Sequence, residues 1–120
     1  MSTPDHLDLL RRAADVAVAH EAAVDARPAT PSAGAVAALT GFREPLPEDG
    51  VDPRDTLERL DALGGPATMA TTGRNYFGFV KGATYHVALA ASFLVETWDQ
   101  NAALPLMSPV AAEVYDVVRE

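Results

Sequence analysis

Apolar residues recur along this chain mostly at helical spacing. Leu7, Leu10, Ala14 and Ala17 form a stripe that leaves Arg11, Arg12, Asp15 and Glu21 largely outside it, which predicts an amphipathic first helix running to about Val24. Thr3 is its expected cap and Pro4 its first position, where a missing N–H costs nothing. Arg27-Pro28-Ala29-Thr30-Pro31 breaks it, because a residue before proline is pushed toward extended backbone. Ser32 is placed to cap a short helix ending near Gly41. Asp52 as cap, Pro53 and the Leu57, Leu60, Leu63 spacing predict another, stopped by Gly64-Gly65-Pro66. A flexible segment is expected from there through Gly73.

From about Thr84 to Asn101 the pattern changes. Val87, Leu89, Ala91, Phe93, Leu94, Val95 and Trp98 cover nearly every face of a helix, and a helix apolar all round is normally buried. Ser108-Pro109 then makes a strong cap and first-position pair, followed by Val110, Val114, Val117 and Val118 on one face. All the regular structure that the pattern predicts is helical, so the fold class is mainly α with about five helices.

Composition narrows the classes of partner. The 120 residues are 48% hydrophobic, with a net charge of −8, which suits one small domain and argues against nucleic acid or an anionic lipid surface as a partner, since either demands clustered cations. Between Arg43 and Asp61 seven acids stand against three arginines, the composition of a solvated face. There is no cysteine, which excludes disulfides and thiolate metal sites. The longest apolar stretch, Val87 to Val95, is far short of a bilayer span. No secretory leader pattern opens the chain, and a cytoplasmic location is the expectation.

Few residues have the spacing of a chemical motif. His20-Glu21-Ala22-Ala23-Val24 lacks the second histidine of a zinc-protease helix, and His6, His20 and His86 have no ligand spacing, so no metal site is expected. Nucleophile elbow, phosphate-cradling loop and dinucleotide turn are all absent. Lys81, Gly82, Ala83 and Thr84 lie where free N–H groups of a helix start and an ammonium could receive a carboxylate. His86 falls in the first helical turn, where a neutral, hydrogen-bonded ring is favoured. Phe77 and Phe79 read as core aromatics beside glycines that permit a bend, Trp98 as a core residue and Asn101 as a helix terminator.

Three landmarks follow one another in the second half of the chain. They are the run Gly73-Arg74-Asn75-Tyr76-Phe77-Gly78-Phe79-Val80-Lys81-Gly82, the helix end Trp98-Asp99-Gln100-Asn101, and Ser108-Pro109. In kind and order they resemble the pyridoxal-phosphate-dependent decarboxylases of the glutamate and aromatic amino-acid type (group II). Arg27-Pro28, Pro45-Leu46-Pro47-Glu48 and Asp52-Pro53 resemble the amino-terminal region of the same family, so the resemblance covers most of the chain. Two positions depart from it: His86 stands where proline is frequent, and Tyr115 where glutamate is usual.

The resemblance implies the amino-terminal segment of a longer α/β enzyme of fold type I. Residues 1–72 would be a helical dimer-packing segment. Residues 73–120 would hold the substrate-side turn and the truncated start of the cofactor-binding large domain. Phe79, Lys81, Gly82 and Thr84 become candidate substrate contacts, and Trp98, Asp99, Asn101, Ser108 and Pro109 structural or dimer-contact residues. The Schiff-base lysine of the family lies downstream of the matched segment, so Lys81 is not that residue and no catalytic residue is expected here. Pyridoxal 5'-phosphate is implied for the complete enzyme and no cofactor for the isolated chain. The implied partners are the remainder of the enzyme, a second subunit of a homodimer and an amino-acid substrate whose identity stays open. The alternative is a self-contained helical protein-interaction or oligomerisation module.

Overall fold

The computed structural model describes residues 3–120. It is mainly helical, with no strand among the described residues, and separates into two compact units, Met1–Ala83 and Thr84–Glu120. No helix among the described residues is long and apolar enough to cross a membrane.

In the first unit, α1 spans Thr3–Ala23 and passes into a 3-10 turn at Val24–Ala26. Thr3 is already helical, and the capping bond expected of its side chain lies outside the described residues. Helix α2, Ala33–Ala38, opens where the Ser32 hydroxyl accepts the Ala35 N–H at 3.1 Å, and tightens into a 3-10 turn at Leu39–Phe42. Helix α3, Pro53–Gly64, opens where Asp52 Oδ1 accepts the Arg54 N–H at 2.8 Å. α3 packs against α1 and against the Leu39–Phe42 turn. That second contact is close because Gly41 presents no side chain: a Cβ there would lie 3.1 Å from Leu63 Cδ1.

Arg59 on α3 also donates to the Gly41 carbonyl and pairs with Glu44 at 2.6 Å. The hydrogen bond and then the charge of Arg59 hold the Glu44 carboxyl below its ordinary value, and the bond that Arg59 donates to Glu44 raises Arg59 in turn. Both side chains are exposed, so the pair contributes modestly.

The segment after α3 is not the flexible connection that its composition predicts. Among the described residues only Val24 and Ala70 are buried apolar side chains, at 8% and 3% exposure, and Ala70 lies in this segment. Its N–H donates to Ala29 O at 3.2 Å, Thr72 Oγ1 reaches Glu21 Oε2 at 3.3 Å, and the Gly73 N–H donates to Ala70 O at 3.1 Å. A chain without periodicity is fixed here by contacts with the end of α1, which local sequence does not encode.

The second unit holds α4, His86–Trp98, and α5, Pro109–Arg119. α4 begins two residues later than its apolar pattern predicts, behind Tyr85, which makes no side-chain capping bond. It also ends earlier than Asn101, because Asp99 adopts a left-handed backbone (φ 47°) while its N–H still reaches Val95 O at 3.2 Å. An aspartate tolerates that conformation better than most residues, and a left-handed residue just past the last turn is a common helix stop. The largest departure concerns burial: every residue of α4 is exposed, Trp98 included. α5 starts as expected, with the buried Ser108 accepting the Ala111 N–H through its hydroxyl at 3.3 Å.

Candidate functional site

The Gly73–Gly82 run is held at its base and open at its tip. At the base, the Arg74 N–H donates to Asp25 Oδ1 at 2.9 Å, and Arg74 Nε lies 3.5 Å from Asp25 Oδ2. Gly73 sits so close beneath that a Cβ would come within 3.1 Å of Val24 O. The Tyr76 N–H closes a turn onto Gly73 O at 3.1 Å.

At the tip, the Lys81 N–H donates to Gly78 O at 3.2 Å, closing a four-residue turn whose central residues are Phe79 (φ 55°) and Val80 (φ 53°). Two successive positive φ values mark a type I′-like turn, which glycine and asparagine normally supply. A β-branched residue there is an outlier. The division of labour is therefore not the one predicted. No glycine in the described chain has positive φ, and Gly78 matters for a different reason, since a Cβ on it would lie 2.9 Å from Tyr76 Oη.

Phe77, Phe79 and Val80 are 92%, 90% and 107% exposed, so the core reading of these phenylalanines is overturned. The turn leaves all three side chains in solvent. Lys81, Gly82, Ala83 and Thr84 are exposed as well. They precede the start of α4 at His86 and so do not supply the helix-start N–H groups of the expected anion site.

The dimer-contact candidates all lie in the second unit. Asn101 Oδ1 accepts the Ala103 N–H at 3.0 Å and Gln100 Nε2 donates to Trp98 O at 2.8 Å, so these side chains hold the turn after α4. Trp98 is half-exposed and borders an open cleft of about 380 Å³ with Gln100 and Val110. It is not the core residue that its size suggests.

A second constellation was not evident from the sequence. A cleft of about 350 Å³ between α1 and α3 is lined by Arg12, Asp15, His20, Arg27 and Asp61 among others, and an apolar groove of about 270 Å³ beside it by Val16, Leu57 and Leu60. Arg27 is its fastener. It reaches His20 on α1 through Nη1, and through Nη2 it donates to Gly65 O at 2.9 Å and to Thr68 O and Oγ1 at 3.2 and 2.9 Å. The one available signal was Arg27-Pro28 itself: the proline holds Arg27 extended (φ −82°, ψ 149°), turning its side chain back across the end of α3.

No group of three or more metal-ligating side chains that could hold an ion occurs among the described residues. The residues of this chain also do not fit a pyridoxal-phosphate site. Lys81, the only lysine, is exposed on the turn and lines none of the clefts described above. Compared with known families, curated proteins and solved structures, the chain matches none of them.

Proposed function

We propose that this chain is part of a cytoplasmic pyridoxal-phosphate-dependent amino-acid decarboxylase of fold type I, acting as a homodimer. Its helices serve as a packing platform, and the Phe77–Lys81 turn forms one wall of the substrate site. The cofactor and its lysine are supplied by other parts of the enzyme.

The observation that carries this reading is the turn. Its base is seated by Asp25 and Gly73, while its tip spends unfavourable backbone conformation on holding Phe79 and Val80 in solvent. Backbone conformations of this kind cluster at ligand clamps. Exposed apolar side chains on a firmly held turn are suited to meet a counterpart outside this chain. The fully exposed α4 favours, as a second reading, a helical module whose apolar surface binds a partner polypeptide.

The gene's full product, purified with pyridoxal phosphate, separates the two. Visible absorbance of the bound cofactor and carbon dioxide release from a panel of amino acids are expected, with Phe79→Ala lowering kcat/KM about tenfold, equivalent to ~1.4 kcal/mol of lost contact. A product that takes up no cofactor and turns over no amino acid, yet associates stably with another polypeptide, supports the module and sinks the enzyme.

A further inference from the structure

Asp49 is the one aspartate or asparagine of the chain that is followed by glycine. It lies between the Leu39–Phe42 turn and α3, in a segment where every residue from 43 to 52 is exposed. Residues 44–51 make no backbone–backbone hydrogen bond among the described residues, so the Gly50 N–H is not engaged. The Asp49 carboxylate has neither a hydrogen bond nor an ion pair among them. A Cβ built on Gly50 would meet nothing within 4 Å. The carboxyl carbon and the amide nitrogen that follows it are thus both accessible, and no side chain on Gly50 hinders their approach.

At other aspartates one or more of these conditions fails. Asp52 accepts the Arg54 N–H at 2.8 Å and is followed by Pro53, which has no N–H to give up. Asp25 accepts the Arg74 N–H at 2.9 Å, and Asp8 pairs with Arg11 at 2.7 Å. Asp15, Asp55, Asp61 and Asp116 sit inside helices, where the next residue's N–H is bonded to the preceding turn. The Thr56 N–H after Asp55, for instance, donates to Asp52 O at 3.1 Å.

We propose that Asp49-Gly50 is a site of spontaneous backbone modification, at which a cyclic imide forms and reopens as an isoaspartyl linkage. The Gly50 nitrogen bonds to Asp49 Cγ, and one carboxylate oxygen leaves as water, taking the amide proton and one proton from solvent. A water then adds to the ring. Where it breaks the Cγ–N bond, aspartate returns. Where it breaks the bond from nitrogen to the Asp49 main-chain carbonyl carbon, the chain continues through Cγ and that carbonyl becomes a free carboxylate. The proton taken up on closing is returned on opening, and nothing is oxidised or reduced. The new linkage adds one carbon to the main chain between Glu44, paired with Arg59, and the Asp52 cap. A segment with no backbone bonds of its own absorbs that length, so both anchors hold. Neither residue lines the clefts described above, and the inference is independent of the catalytic reading.

Ageing the whole chain in neutral buffer at body temperature tests it, with peptide mapping by electron-transfer fragmentation and methyl labelling by an isoaspartyl methyltransferase as readouts. A species lighter by one water is expected first, then isoaspartate at position 49 ahead of every other aspartate, at a rate close to that of the same chain held unfolded in urea. Gly50→Ala, whose added methyl meets no neighbour, is expected to slow the reaction several-fold. Asp49→Glu should abolish it, because the longer arm closes the ring poorly. Thermal unfolding of the aged protein should keep its midpoint. Isoaspartate that appears at position 49 only in urea, that accumulates equally at Asp55, or that forms as fast in Gly50→Ala overturns the site. A lowered midpoint in the aged protein overturns the slack assigned to the segment.

Discussion

Asp25 accepts the backbone N–H of Arg74 at 2.9 Å across 49 positions of sequence, and this bond seats the Gly73–Gly82 turn on the end of α1. Its carboxylate also faces the Arg74 side chain, so one residue fixes both the backbone and the direction of the turn's first member. Whatever the turn contacts, its position is inherited from α1.

Asp25→Ala is therefore expected to loosen the turn at a cost of about 1 kcal/mol, at the low end for a charge-assisted hydrogen bond because the pair is half-exposed. Asp25→Asn keeps an acceptor for the Arg74 N–H and should lose less. Urea midpoints at unchanged slope measure both, and equal losses would show that the N–H bond is not what matters.

Two glycines at either end of the run should respond oppositely to alanine. A Cβ on Gly73 meets backbone oxygens of Val24 and Ala70 at 3.1 and 3.3 Å, whereas a Cβ on Gly82 meets nothing within 4 Å. Gly73→Ala is expected to destabilise by roughly 1–3 kcal/mol through overpacking. Gly82→Ala should stabilise by roughly 0.4–1 kcal/mol by restricting the unfolded chain. Thermal unfolding of the two variants side by side checks the difference in sign.

The features legible in the sequence are those whose cause is local. Ser32, Asp52 and Ser108 each cap the helix that their composition announces, since a cap is a bond to an N–H two or three residues on. The Val110, Val114, Val117, Val118 stripe likewise falls on one helix because spacing alone decides it. Illegible features depend on distant partners. Nothing near Thr68–Arg74 says that Ala29, Glu21 and Asp25 will hold it, and nothing near His20 says that Arg27 will return to it. Phe77, Phe79 and the whole of α4 show a further gap. Apolar character states that burial is favourable but not that this chain can provide it. The left-handed pair at Phe79 and Val80 runs against residue preference, so preference could not foretell it.

Val80 is the residue least suited to its backbone. Val80→Asn places there a side chain that tolerates left-handed φ, and is expected to stabilise the fold by about 1 kcal/mol, the usual scale of that strain. In the proposed enzyme it should lower kcat/KM, since Val80 would no longer face the site. A stabilised variant with unchanged turnover would separate the strain from the site.

Arg27→Lys tests whether the end of α3 is held by geometry or by charge. A lysine keeps the charge but lacks the planar fork that reaches His20, Gly65 and Thr68 together, and the expected loss is about 2 kcal/mol with faster exchange at Thr68 and Ala70. Wild-type stability in Arg27→Lys would mean that a point charge suffices there.

The Glu44–Arg59 pair gives the clearest acid dependence. Glu44 is held below its ordinary value chiefly by the hydrogen bond from Arg59, then by that residue's charge. A depressed folded value means that the carboxylate is favoured in the folded state. Its contribution is thus fully present above the unfolded value and is lost as pH falls through the folded one, in the window below 4.5. Arg59, raised further above its already high ordinary value by its bond to Glu44, keeps its charge throughout that window. Glu44→Gln removes the carboxylate and leaves the Arg59 bond to Gly41, so it should flatten this part of the acid stability curve while the Leu39–Phe42 turn stays packed on α3. Arg59→Met should in turn let the Glu44 carboxyl rise toward 4.5, read from its side-chain 13C shift. Because both side chains are exposed, added salt should shrink the shift in the unsubstituted protein. A Glu44 titration that is the same with and without Arg59 would mean that the pair does not form in solution.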